Sequence, residues 1–169
     1  MSCFKLENSK LCPEYNGHYI FKRGNLTNSV EFETQLKKYL ESDDSFKTFL
    51  TEIFKCDNKN LPDFRYRRSF LCNHYSVLPS VASSLCESQI AEDKDANKIS
   101  FCYSSCIAAI NSLEELLMNT SNNCSQEEFQ KRFNGFKTNC SSGQSFSNNQ
   151  CFLGTDTELK YCGKCYYYI

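Results

Sequence analysis

Apolar residues set the first expectations. From Val30 onward, Phe32, Leu36, Tyr39 and Leu40 recur at three- and four-residue steps, the stripe of a helix with a 3.6-residue period. Ser42-Asp43-Asp44-Ser45 interrupts that stripe with side chains that compete with the helical backbone and cap a new start. A second helix is predicted beyond it, with Phe46, Phe49, Leu50, Ile53 and Phe54 on one face and an end near Cys56. Tyr66, Phe70 and Leu71 mark a third helix that delivers Cys72 to the core. Leu78-Pro79-Ser80 breaks the chain, and Glu87 to Lys98 reads as a charged loop.

The clearest helix runs from a Ser100 cap to about Met118. Cys102 and Cys106, four apart, share one of its faces, and Ile110, Leu113 and Leu117 continue near it. Ser125-Gln126-Glu127-Glu128 is a capping box that opens a helix carrying Phe129, Phe133 and Phe136 as core. Gly135 and the Ser/Asn-rich stretch 141–149 are expected to end that helix. Before all of these, the segment from Cys3 to Thr27 reads as extended chain with a short strand at His18-Tyr19-Ile20-Phe21. No internal repeat or boundary divides the chain, so residues 1–169 are read as one domain.

Cysteine usage fixes the compartment. Twelve cysteines in 169 residues read as a disulfide framework made under oxidising conditions: Cys3, Cys12, Cys56, Cys72, Cys86, Cys102, Cys106, Cys124, Cys140, Cys151, Cys162 and Cys165. Their connectivity is not readable from spacing. Asn25, Asn119, Asn123 and Asn139 each begin an Asn-x-Ser/Thr acceptor, which fits the same compartment. Asn123 and Asn139 immediately precede cysteines, so Asn25 and Asn119 are the expected glycosylation sites. A net charge of −1 and a pI of about 6.1 argue against nucleic acid as a partner. The cluster Arg65, Arg67 and Arg68 is expected on a solvated helix face. No segment has the length and apolarity of a membrane span, and Met1-Ser2-Cys3 does not open a signal peptide. A secreted or cell-surface location is therefore expected for a mature segment, with room for a stalk and membrane anchor after Ile169.

Candidate chemistry is sparse. Cys102-x3-Cys106 and Cys162-Gly-Lys-Cys165 have metal-pair spacing, but ten further half-sites would be left over and the only histidines are His18 and His74. A redox reading of Cys162-Gly-Lys-Cys165 wants a helix beginning at the first thiol, and only Tyr166, Tyr167, Tyr168 and Ile169 follow Cys165. Neither histidine lies in a nucleophile–base motif. Glu114-Glu115 and Glu127-Glu128 are adjacent pairs, not partners across a cleft. No catalytic residue, metal ligand or cofactor is assigned.

The cysteine order resembles a fungal branch of the frizzled-type cysteine-rich domains. The resemblance rests on Phe70-Leu71-Cys72, the Pro79 turn, Cys86, Cys102-Tyr103-Ser104-Ser105-Cys106 and Cys124. It extends to the opening Cys3 to Cys12-Pro13 and to Cys151-Phe152-Leu153-Gly154 followed by Cys162-Gly163. One departure is plain: Ile107 to Asn123 contains no cysteine, which puts the pairing of Cys56 in question. The resemblance implies a mainly α, disulfide-stapled helical domain with a minor β-strand pair. It also implies an extracellular recognition module for a lipid, an acylated ligand or a protein. A secreted effector acting on a host protein, and a secreted hydrolase, are the alternatives.

Overall fold

The computed structural model describes residues 2–55, 64, 66–76, 80–96, 100–120, 126–142 and 151–152. The chain opens on an antiparallel strand pair, β1 (Cys3–Lys5) with β2 (Tyr19–Phe21), in the register Cys3 opposite Phe21. Six helices follow among the described residues: α1 (Ser29–Glu41), α2 (Asp43–Phe54), α3 (Arg67–Ser76), α4 (Ser80–Glu92), α5 (Tyr103–Thr120) and α6 (Gln126–Ser142). Two short parallel strands, β3 (Ser100–Phe101) and β4 (Cys151–Phe152), form a second pair. The fold is mainly α with minor β-strand pairs and is stapled by disulfides.

Local chemistry explains the best-defined boundaries. The Asn28 side chain accepts from the amides of Val30 and Glu31 and so starts α1. Ser42 accepts from the Ser45 amide and starts α2, which turns the chain between two helices with no intervening loop. Lys55 ends α2 in the left-handed region, and its amide bonds the Thr51 carbonyl. Between β2 and α1, Arg23 and Leu26 bond each other through both backbone groups, with Gly24 at positive φ in the tight turn.

Helical stripes meet in one apolar cluster. It contains Leu6 and Ile20 from the hairpin, Phe32 and Leu36 of α1, and Phe46, Leu50 and Phe54 of α2. Phe70 and Leu71 of α3, Leu113 and Leu117 of α5, and Phe129 and Phe133 of α6 belong to it as well. Phe54 lies flat on Phe133 at 4.4 Å between ring centroids and joins α2 to α6. Helix α4 packs differently, against β1 and β2.

Among the described residues, four disulfides join elements far apart in sequence. Cys3 bonds Cys86, Cys12 bonds Cys72, Cys102 bonds Cys151, and Cys106 bonds Cys140. They tie the hairpin to α4, the segment before β2 to α3, the start of α5 to β4, and α5 to α6. Cys56, Cys124, Cys162 and Cys165 lie outside the described residues, as do Arg65, Pro79, Asn123, Ser125 and the Tyr166–Tyr168 run.

Several expectations are corrected. The segment expected as a loop from Glu87 to Lys98 is helical through Glu92, since α4 extends to that residue. Ser100 does not cap α5; it belongs to β3, where its backbone is paired with Cys151. Gly135 does not end α6 but sits inside it, exposed, with open space where a side chain would stand. A single glycine lowers helix stability without breaking the hydrogen-bond ladder. Arg67 and Arg68, expected on a solvated face, are largely interior, for reasons given by their partners below.

Candidate functional site

Polar chemistry is concentrated where the hairpin, α1 and α3 meet. Arg68 of α3 is 5% exposed. Its Nε donates to the Leu11 carbonyl at 2.6 Å, and Nη2 donates to both Glu14 carboxylate oxygens, at 2.9 and 2.7 Å. This charge is buried because a carboxylate and a carbonyl are buried with it. The Cys12–Cys72 bond lies alongside, and the Ser9 hydroxyl accepts from the Cys12 amide while donating to Glu33. Together these contacts fix residues 9–14 against α1 and α3.

Arg67 has a different task. It donates to the carbonyls of Tyr39 and Ser42 and to the Asp43 carboxylate, so it satisfies the carboxyl end of α1 and the entrance of α2. Its guanidinium also lies over Phe46, 4.3 Å from the ring centroid.

A third arginine, Arg23 in the tight turn after β2, is half-buried. Its guanidinium carbon lies 5.0 Å from the centroid of Tyr75, a buried residue of α3. Tyr39 of α1 stands nearly parallel to Tyr75, with centroids 6.5 Å apart, and its hydroxyl accepts from the Gln35 amide at 2.7 Å. Lys38 Nζ is 5.7 Å from the Tyr39 centroid. No carboxylate among the described residues pairs with Arg23 or Lys38. Burial lowers the Arg23 pKa, and burial followed by the neighbouring Tyr39 phenol pushes Tyr75 well above its ordinary range.

His74, on α3, faces aromatic rings: Phe49 at 5.3 Å, Tyr75 at 5.2 Å, Phe136 at 5.9 Å and Phe70 at 6.2 Å. Desolvation, with a smaller contribution from the Arg23 charge, lowers its pKa to about 3. It is a neutral member of the aromatic core at physiological pH. His18 packs edge-on against Tyr15, with centroids 5.1 Å apart. The two histidines therefore lie in separate surroundings, one beside Tyr15 and one among the rings of α2, α3 and α6.

Elsewhere, Lys5 of β1 pairs with Asp93 just beyond α4 at 2.7 Å, and the Tyr19 hydroxyl donates to the same carboxylate at 2.9 Å. The hydrogen bond from Lys5 is the largest cause of the lowered Asp93 pKa. Glu114 of α5 accepts from Lys137 and Gln130 of α6 and so stitches two helices; Glu115 beside it is exposed. Glu127 is exposed at the start of α6.

Asn25 is exposed at the tip of the tight turn, and Asn119 is exposed in the last turn of α5. Asn139 lies within α6 beside Cys140. The exposed large hydrophobics among the described residues are Val30, Leu85, Tyr103 and Met118. Tyr103 and Met118 stand at opposite ends of α5, about 22 Å apart at helical rise, and do not make one patch. Among the described residues no group of His, Cys, Asp and Glu has metal-binding geometry, and no helix is long and apolar enough to cross a membrane.

The sequence singled out His18 and His74 but not Arg23, whose setting arises from the turn at Gly24, the following helix α1 and the distant helix α3. Compared with known proteins, the chain matches no family model, no curated protein and no solved structure.

Proposed function

We propose that the chain is an extracellular recognition module that binds a lipid, an acylated ligand or a protein partner and carries no catalytic centre. The observation that carries this reading is the disulfide framework: among the described residues, four bonds close sequence separations of 83, 60, 49 and 34 residues around a helical core. Such a framework belongs to an oxidising compartment. The resemblance of the cysteine order to a fungal branch of frizzled-type domains supports the same reading. So does the use of charged groups: Arg67, Arg68, Glu14, Glu114 and Lys137 are engaged in holding elements together, and His74 is built into the core. Glycans at Asn25 and Asn119 belong to this proposal, and both side chains are accessible to receive them.

A native mass spectrum of protein secreted from a eukaryotic host, deglycosylated, tests it. Oxidation of all twelve cysteines places the mass about 12 Da below the all-thiol value. Extra mass released on denaturation identifies a lipid or acylated ligand, whereas an apo mass directs the reading to a protein partner. Free thiols with a bound metal ion would remove the extracellular premise.

A further inference from the structure

We propose that Arg23, backed by Tyr75 with Tyr39 and Gln35 beyond that ring, is an oxyanion-binding site that takes the carboxylate or phosphate group of a ligand.

The argument begins with a contrast among three arginines of the same fold. Arg68 is buried against a carboxylate and a carbonyl. Arg67 is spent on two carbonyls and Asp43. Arg23 has the desolvation of an interior arginine but only an aromatic face as its described side-chain contact. A half-buried guanidinium normally recovers its lost hydration through in-plane hydrogen bonds to an anion. A ring beneath the guanidinium supports the cation from one face and leaves its edge donors available, which is the geometry for two-point recognition of a planar or tetrahedral oxyanion.

The surroundings reinforce this. Tyr39 and Tyr75 present phenols beside a Gln35 amide, so neutral hydrogen-bonding groups adjoin the cation. Lys38 lies against the Tyr39 ring, 5.7 Å from its centroid. The only carboxylate near that end of α1 with a described partner on the same helix, Glu41, is paired with Lys37. His74, close enough to Arg23 for the two charges to interact, is held neutral and does not compete for the anion as a rival cation.

This deepens the recognition reading by naming the ligand's polar group, and it rests on that reading for its biological purpose alone. The test is a nuclear magnetic resonance titration of the folded protein, observing the Arg23 Nε–H and the ring signals of Tyr39 and Tyr75. The probes are inorganic phosphate, acetate and octanoate, each against chloride at matched ionic strength. Saturable shifts confined to these groups are expected. Arg23→Gln should weaken binding about tenfold or more, the loss of a charge-assisted pair. Arg23→Lys, which keeps the charge over the ring but not the fork, should fall in between. Octanoate binding more tightly than acetate assigns an acyl carboxylate; phosphate binding more tightly than both assigns a phosphorylated group. Equal weak affinities for all probes in the wild type and in Arg23→Gln would overturn the site. So would a pair of variants whose melting temperature falls while anion affinity does not, because Arg23 would then act through Tyr75 packing alone. Neither outcome alters the cysteine mass or the release of a bound lipid, so failure of the site and failure of the recognition reading are separately visible.

Discussion

At the scale of single residues, His74 is the group whose environment has the sharpest consequence. An imidazole among Phe49, Phe70, Tyr75 and Phe136 resists protonation, and its pKa falls to about 3. In the unfolded chain the same group titrates near 6.5, so between these values the unfolded state binds a proton that the folded state refuses. His74 is therefore neutral in both states above about pH 6.5, where it imposes no penalty. Its penalty grows as pH falls toward 3 and amounts to about 3 kcal/mol at pH 4. His74→Phe removes that titration while keeping a ring in the cluster. Guanidinium unfolding of both proteins at pH 7, 5.5 and 4 should show the variant losing less stability, with the gap widening in the acid direction. Parallel losses would mean that His74 is solvated and titrates normally. Asp93, whose pKa is lowered mainly by its hydrogen bond from Lys5, acts in a different window, below about pH 4, and is common to both proteins.

At the scale of elements, the legible and illegible parts of the chain divide by what holds each element. Helices α1, α2 and α6 bury regular stripes, and Phe32, Leu36, Phe46, Leu50, Phe129 and Phe133 stand in the core as their spacing predicts. The hairpin strand at Tyr19–Phe21 was also legible. Helix α4 was not, because its described attachments are covalent and polar. Cys86 bonds Cys3, the Ser2 hydroxyl donates to the Leu85 carbonyl, and Asp93 just past the helix receives Lys5 and Tyr19. Periodicity reports burial of an apolar stripe and is silent on such anchors. The expectation for Arg67 and Arg68 failed for a related reason: sequence shows a charge but not the carbonyls and carboxylates from other elements that meet it. A consequence follows for α4. Replacing Cys3 and Cys86 together by alanine should cost roughly 2–5 kcal/mol. Native-state hydrogen exchange should show the loss first in the amides of α4 and the β1–β2 pair, while α5 and α6, joined by Cys106–Cys140, keep their protection. An even loss of protection across all helices would show that α4 is integral to the core after all.

At the scale of the whole molecule, the question is whether these elements unfold as one body. The apolar cluster runs without interruption from Leu6 in the N-terminal segment to Phe133 and Cys140 in α6, which argues for a single cooperative unit. Part of that continuity runs through Phe54 of α2, which meets Phe129, Phe133 and Phe136 of α6, beside the contacts of Phe70 and His74 of α3 with Phe136. Phe54 is 1% exposed, so Phe54→Ala removes a fully packed ring and should cost about 3–5 kcal/mol. If the chain is one cooperative domain, that substitution lowers a single melting temperature by roughly 2–4 °C for each kcal/mol lost. The transition stays single with disulfides intact, and the calorimetric and van't Hoff enthalpies agree. If α5 and α6 form a unit of their own, loosening this junction separates the melting curve into two steps, and the tyrosine signal of α1 and α3 departs from the helical signal. That split would divide the chain into two domains and move the Arg23 site wholly into the first, since Arg23, Tyr39 and Tyr75 belong to the hairpin, α1 and α3.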